Sequence, residues 1–548
     1  MVTYVVIGGG IAGVCCAEEL CRTCPNDSVT LVAATRILKG VSTVAQITKT
    51  IEELQVVEKD LDSLPYPNLN WVQGIATDID TEKQLITILS TDDDNEKIDE
   101  IASDLQISSL PYDKVCICTG AKPRRLLNSP HVVVLRDTDS VQELSDKLKS
   151  AKKVMVVGNG GIALELAHAL HGVDVTWVIR HGHIGDAFFD LDAAQFLLEE
   201  LQHARKGTSV QKSKTTTTTT IDDEEDDDFQ AQIPPTQIVK MEGRRNRALG
   251  HAVGPAWTRA LSTNSNQKEG GGNGGAFSVE MGCEVIKIAA TFSPSSSSPS
   301  NTTNTAALEV SLSDGRTLGT DVIVSVIGVD PAVDWVPACV SRSVSDHGLV
   351  VDSTMKTSVE NVYAAGDACS MIDHSSVDGG GNEESSCLSR RHWFQMRLWS
   401  QARAQAIYAA HCMSGISDQT GSDMSFEVFT HVTRFLGKKV VLLGLYNGQK
   451  LEDEPESDLV SYSRVTEEGD AGHHRGHCCR PGYKSDDHDK GRTFVRILLL
   501  RGKVQGAVLI GETDLEEAME NLILDGLDVD GYGPDLLDPE IDLEAIFD

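Results

Sequence analysis

Gly8, Gly10 and Gly13 are spaced to hold a pyrophosphate. They fall in Tyr4-Val-Val-Ile-Gly-Gly-Gly-Ile-Ala-Gly13, where a short β-branched strand breaks directly into a helix opened by Ile11 and Ala12. Gly8 permits the tight turn, Gly10 lets the backbone approach a phosphate, and Gly13 lets the helix pack closely on the strand. The N–H groups and dipole at the helix start then face an anion. The same pattern returns in Lys153-Val-Met-Val-Val-Gly-Asn-Gly-Gly-Ile-Ala-Leu-Glu165. Here Gly158, Gly160, Gly161 and Ile162 make the turn, and Ala163 is still small enough for close helix packing. The sequence therefore predicts two dinucleotide cradles.

The strands that follow each cradle bear on which nucleotide it holds. After the first, Ser28–Ala33 ends in Ala33 and Ala34 where a ribose-binding carboxylate is usual, so that contact must come from elsewhere. After the second, Asp174–Ile179 ends in Arg180. A cation there can accommodate a 2′-phosphate, which leans towards NADPH, and a plain surface cation with NADH is the competing account.

Three further strands end in small or turn-forming residues. Lys114-Val-Cys-Ile-Cys-Thr-Gly-Ala-Lys-Pro123 ends on Thr119 and Gly120, where the backbone can pass close to the bound cofactor, and Asp321–Pro331 repeats the form with Gly328. Thr357–Asp367 closes on Gly366-Asp367. In flavin enzymes such an Asp accepts a hydrogen bond from a ribityl hydroxyl. Periodicity predicts a helix from Trp393 to Ala410, whose first residues either aim at a flavin ring or belong to an ordinary core helix.

Cysteine is abundant but poorly placed for catalysis. Cys21-Arg-Thr-Cys24 lies at the C-terminal end of its helix, whereas a helix N-terminus favours thiolate, so packing is the expected role. Cys15, Cys16, Cys116 and Cys118 fall inside core elements and read as reduced, buried thiols. His473, His474, His477, Cys478 and Cys479 lack the paired spacing that closes a zinc site, and no metal is expected.

These groups require an α/β fold with two nested Rossmann-like domains and a C-terminal α+β domain. The expected divisions are 1–130 and 345–415 for the first cradle's domain, 131–344 for the second, and 425–548 for the last. Composition marks disordered insertions at about 203–280, 293–305 and 371–390 and a polar insertion at about 450–490, although Val253–Trp257 reads as ordered. In the C-terminal part, strands are predicted at Phe426–Phe429, Lys439–Leu445, Phe494–Leu499 and Lys503–Ile510, with a helix at Leu515–Leu524.

The net charge is −34, and seven acids in Asp222–Asp228 with fourteen in Glu512–Asp548 supply most of it. That balance argues against binding nucleic acid. No apolar run has membrane-spanning length, and the first strand begins too early for a leader, so a cytoplasmic or nuclear location is expected.

Two cradles, two strand-to-Gly-Pro elements and Ala364-Ala-Gly-Asp367 resemble the FAD/NAD(P)-dependent pyridine nucleotide-disulphide oxidoreductase family. Val157–Leu166, Gln395–Trp399, His431–Phe435, Lys439–Gly444 and Gly506–Leu515 carry the resemblance through all three domains. It implies FAD in the first cradle and NADH or NADPH in the second, with hydride passing from nicotinamide C4 to flavin N5. It also implies that Glu165 lies near the nicotinamide and pairs with a lysine, for which Lys39 and Lys49 are the candidates.

Many members carry a redox thiol shortly after the second strand. Ile37–Lys49 has no cysteine. The expectation is an FAD-dependent NAD(P)H oxidoreductase that passes electrons to oxygen, a quinone or another small acceptor. The alternatives are a disulfide reductase using Cys21/Cys24 or Cys369, and a redox-sensing binding protein. The resemblance also implies a protein partner, an RNA ligase protected from oxidation.

Overall fold

The computed structural model describes residues 1–48, 51–60, 64–90, 107–210, 257–261, 275–290, 306–371, 391–416, 426–467, 491–538, 541 and 543. The threonine and acidic runs at 215–228, the segment 293–305, most of 371–390 and the cluster around His473–Cys479 lie outside these residues, as does Lys49.

The first unit opens with β1 (Thr3–Ile7), α1 (Ile11–Thr23) and β2 (Ser28–Ala33). A long hairpin, β3 (Ile37–Gln46) and β4 (Glu52–Asp60), leaves the sheet, which resumes with β5 (Leu69–Asp80), β6 (Leu85–Ser90), β7 (Ile107–Pro111) and β8 (Lys114–Ile117). Strands β1, β2, β5 and β8 run parallel, with β6 and β7 as an antiparallel extension. Val5, Val6, Val115 and Ile117 are fully buried, which explains runs that are apolar on both faces rather than alternating.

The chain crosses to the second unit through β9 (Ala121–Pro123) and continues with β10 (Val132–Val134), α2 (Thr138–Leu148), β11 (Lys153–Val157), α3 (Gly161–Ala169), β12 (Asp174–Ile179) and α4 (Leu191–Val210). After the insertion come β13 (Phe277–Met281), β14 (Val285–Ala290), β15 (Leu308–Leu312), β16 (Thr317–Thr320) and β17 (Val322–Ser325). The parallel sheet has the order β10-β17-β11-β12-β13, and β14-β15-β16 form a small antiparallel sheet.

The chain returns through β18 (Val329–Pro331), which pairs antiparallel with β9. The two Gly-Pro elements thus make one ribbon between the units, fastened by Arg124–Asp330 and Lys122–Asp334 ion pairs at 2.7 and 2.9 Å. Next come β19 (Leu349–Val351), β20 (Val362–Ala364) and β21 (Cys369–Met371), and β20 completes the first sheet beside β8. Helix α5 (Trp399–Ser414) then packs on α1.

The last unit is an antiparallel sheet of order β22-β23-β26-β25-β24 with one helix. Its elements are β22 (Thr430–Phe435), β23 (Lys438–Gly444), β24 (Leu459–Thr466), β25 (Thr493–Leu500), β26 (Lys503–Ile510) and α6 (Glu516–Asp525). Ile51, at the turn between β3 and β4, is fully buried in this unit's core beside Val428 and Val432.

Four expectations need correction. Phe277–Met281, placed within the insertion at 203–280, is an edge strand of the second sheet, and α4 runs on to Val210. Its half-exposed side chains and the glycine run before it hid the strand pattern. Leu459–Thr466, placed in the polar insertion, is likewise a polar edge strand. Phe426–Phe429 precedes the strand rather than forming it, because Phe426 is committed to ring contacts with Trp393 and Tyr408. Residues 393–398 form no regular element, and the helix starts at Trp399. Side-chain amides replace the helical bonds there: Gln401 accepts from Met396 N–H at 2.8 Å and donates to the Phe394 carbonyl at 2.8 Å.

Candidate cofactor sites

The two cradles have nearly identical backbones. Gly8 has φ +132° and Gly158 φ +136°, conformations that disfavour any side chain. Each N–H is held by the neighbouring strand: Gly8 by the Val32 carbonyl at 2.8 Å, Gly158 by that of Val178 at 3.2 Å. A Cβ on Gly8 would lie 2.2 Å from the Cys118 oxygen, and one on Gly158 2.1 Å from that of Val326. Gly13 is needed because a Cβ would lie 1.8 Å from the Gly8 oxygen. Ala163, by contrast, is fully buried with its methyl accommodated.

Gly10 and Gly160 do the opposite work. Nothing stands within 4 Å of a Cβ built at either, so both turns open onto free space. Both are also helix N-caps without a side-chain cap, and no acidic residue lies in either first turn. Helix α2 shows the contrast, because Asp137 and Ser140 close its start in a capping box. The starts of α1 at Ile11 and of α3 at Gly161 and Ile162 therefore present N–H groups to a phosphate.

Gly366-Asp367 stands over the first cradle. Gly366, at φ +74°, comes so near α1 that a Cβ would lie 2.8 Å from the Ala12 methyl. Buried Gln405 of α5 accepts from the Gly366 N–H at 2.9 Å and fixes the turn. The Asp367 carboxyl has no hydrogen-bond partner among the described residues. Burial pushes its pKa up, and the Arg397 guanidinium pulls it back. Arg397 is itself held by Asp346 at 2.7 Å and donates to the Asp367 carbonyl at 3.2 Å. A half-buried carboxylate left without a donor suits a ligand hydroxyl. Residues Gly8 to Gly13 with Asp367 therefore fit a flavin dinucleotide.

Ala33 is buried beneath Gly9, whose Cβ position lies 3.0 Å from the Ala33 methyl. Packing fills the place where a ribose-binding carboxylate is usual. Thr119 and Gly120 fasten the ribbon: the Thr119 hydroxyl donates to the Ala332 carbonyl at 2.9 Å, and the Gly120 carbonyl accepts from Ala332 N–H at 2.8 Å. Gly328 accepts from Arg124 N–H at 2.9 Å.

In the second cradle, Asn159 anchors the loop after β12. It accepts from Gly185 N–H at 2.6 Å and donates to the His183 carbonyl at 2.9 Å. Arg180 is exposed, its Nε donating to His181 at 3.2 Å and standing 3.8 Å from Glu284. Glu165 lies one turn into α3, and its carboxyl accepts from the Trp257 indole N–H. Burial pushes its pKa up to about 7 against that bond.

Glu165 does not pair with Lys39, as expected from the sequence. Lys39 is buried on β3, where its N–H donates to the Gly9 carbonyl at 3.1 Å and its ammonium meets Glu58 at 2.6 Å. The hairpin supplies Lys39 with its own carboxylate, so the two residues serve different cradles. Gln405, Arg397, Asn159 and Trp257 were not singled out for these roles. Only the aromatic character of Trp257, inside a polar insertion, gave a signal.

Two phosphate cradles in tandem, the first completed by a carboxylate, define an oxidoreductase that works with a flavin and a nicotinamide nucleotide. The family model for pyridine nucleotide-disulphide oxidoreductase matches residues 2–253 and 292–406, and the chain belongs to that family. It is 35% identical to the human pyridine nucleotide-disulfide oxidoreductase domain-containing protein 1, covering 100% of this chain and 98% of the relative. The protein of that name from Danio rerio is 36% identical, over 100% and 98%. An engineered water-forming NADPH oxidase bound to NADPH shares the fold, with a TM-score of 0.60 at 13% identity over 96% of this chain and 92% of the other.

Proposed function

We propose that the chain is an FAD-dependent NAD(P)H oxidoreductase that delivers electrons to oxygen or another small acceptor without an active-site disulfide. The observation that carries this reading is the segment after β2. It is a hairpin without cysteine, and Ile51 at its turn is buried in the C-terminal core. The bound cofactors supply hydride transfer from nicotinamide to flavin. The chain's own residues position them, with Gly10 and Gly160 opening the phosphate sites and Asp367 holding a hydroxyl.

The described cysteines are all unbonded. Cys21 is buried at the far end of α1, and burial pushes its thiol up to about 12. Cys16, Cys116 and Cys118 form a buried cluster beside the first cradle, with Cys116 and Cys118 3.5 Å apart, where burial opposes ionisation of each thiol. Such groups supply little thiolate at neutral pH. With oxygen as acceptor, NAD(P)H, a proton and dioxygen yield NAD(P)⁺ and hydrogen peroxide. The water-forming oxidase that shares the fold supports oxygen as the first acceptor to try. An RNA ligase complex is the protein partner proposed from the family resemblance, to be sought by co-purification.

The test is to purify the protein, record its flavin spectrum without oxygen, titrate with NADH and NADPH, and then mix rapidly with oxygen or a quinone. Bleaching by one nucleotide and prompt recovery with an acceptor are expected. A preparation that takes up no FAD, or whose turnover disappears in Cys21→Ser/Cys24→Ser, overturns the reading.

A further inference from the structure

Within the long insertion between α4 and β13, the described residues 257–261 meet the folded body well before the chain rejoins it at Ala276. Trp257–Ala260 forms a single 3₁₀ turn against α2 and α3, and Leu261 follows it into the core. There the Trp257 indole N–H donates to Oε2 of Glu165. Among the described residues no other hydrogen bond reaches that carboxyl and no cation offsets its burial.

The groups around Glu165 are otherwise engaged. His168 lies further along α3 and His171 just past its end, and burial and Arg205 keep both towards their neutral forms. Arg205 of α4 donates to the Ala167 and Leu170 carbonyls. On α2, Glu143 and Lys147 pair with each other at 3.4 Å, and Lys438, which opens β23 after the β22–β23 turn, pairs with Glu200 at 3.1 Å. That turn meets α3 on either side of Glu165: Phe435 lies 3.1 Å from the Cβ position of Gly161, and His168 lies 3.7 Å from that of Gly437.

A structural contact at this place would be served by two apolar residues, because burying a carboxyl opposes folding. Retaining a desolvated carboxyl one turn past a nucleotide cradle, with a single donor brought from an insertion, points to use. We propose that Trp257 is a positioning residue of the nicotinamide site, orienting the Glu165 carboxyl and making the inserted segment a working part of the hydride-donor side. This rests on the nicotinamide reading of the second cradle.

The experiment uses the full-length, flavin-loaded protein and two readouts. Difference infrared spectroscopy, with Glu165→Gln as the blank, follows protonation of the carboxyl directly and does not depend on turnover. Rapid-mixing flavin reduction by whichever of NADH and NADPH bleaches the flavin gives the pH profile of hydride transfer. Trp257→Phe keeps the ring but removes the N–H, so the ionised carboxyl loses its donor. The infrared transition should rise by about one pH unit, a tenfold change in proton affinity, and the rate profile should move with it. Leu261→Ala, which loosens the turn, should shift both in the same direction by less. An infrared transition unmoved in both variants overturns the inference. So does one that moves without the rate profile, which would leave Trp257 a structural role. Failure of both NADH and NADPH to bleach the wild-type flavin would instead refute the nucleotide reading on which the inference rests, while the infrared titration would still report on the pair.

Discussion

Glu165→Gln should stabilise the protein, and do so more at higher pH. The carboxyl's pKa is lifted from its ordinary 4.5 to about 7. Between those values the native state keeps a proton that the unfolded chain has released. Stability is therefore fully present below pH 4.5 and falls as pH rises through 7. At about 1.4 kcal/mol per pH unit, the cost at pH 8 is about 3 kcal/mol. Glutamine has the same shape, its carbonyl can still accept the Trp257 N–H, and it has no charge to bury. The isoelectric point near 4.8 keeps solubility poor in mild acid, so the comparison belongs between pH 6 and pH 8. Over that interval the variant's advantage should grow by about 1 kcal/mol. Urea unfolding of both proteins at the two pH values, followed by circular dichroism, measures it. An advantage that is absent or equal at both pH values would refute the assignment of a raised, desolvated carboxyl.

His431 should show the opposite sign: it is fully buried beside Ser400, and burial pushes its pKa down to about 4. Stability is then lost as pH falls below 6.5, and His431→Gln should remove about 1.4 kcal/mol of that loss between pH 7.5 and 5.5, read by the same unfolding measurement. Asp367→Ala should weaken flavin retention roughly tenfold to a hundredfold, as expected for a lost charge-assisted bond; flavin fluorescence in ultrafiltrates reports it. Gly13→Ala, whose methyl would overlap the Gly8 carbonyl, should yield protein without bound flavin, visible as a missing absorbance at purification. Cys21→Ser/Cys24→Ser should leave NAD(P)H turnover within about twofold of wild type in a steady-state assay, since a buried thiol of raised pKa is inert.

The cradles were legible because they are local. Gly8, Gly13 and Gly158 are demanded by a positive φ or by a carbonyl about 2 Å away, needs that leave a fixed spacing in the sequence. Long-range partnerships leave no such spacing. Nothing in the spacing of Thr119-Gly120 and Gly328 shows that the strands following them, β9 and β18, pair into one ribbon across about two hundred residues. Gln405, thirty-nine residues from Gly366, reads as one polar residue in a helix until the turn it holds is known. The edge strands Phe277–Met281 and Leu459–Thr466 escaped because an edge may be half polar. Lys39 carried the right charge at the right height, but its carboxylate comes from the antiparallel neighbour Glu58, a pairing fixed by hairpin register.

The hairpin with Ile51 at its turn has a consequence for how the protein can be taken apart. The C-terminal core lacks one of its own members unless the first unit lends Ile51, and Arg403 ties the adjoining Glu52 to α5 at 2.9 Å. A fragment ending at residue 416 would leave that isoleucine in water, and an isolated C-terminal fragment would fold around a hole. The opposite end of the same hairpin carries Lys39, whose N–H supports Gly9. Melting of the distant sheet should therefore be felt at the pyrophosphate turn, so that flavin escapes at the temperature where the C-terminal sheet unfolds. Recombining such units with those of other oxidoreductases would have to carry the hairpin and its socket together.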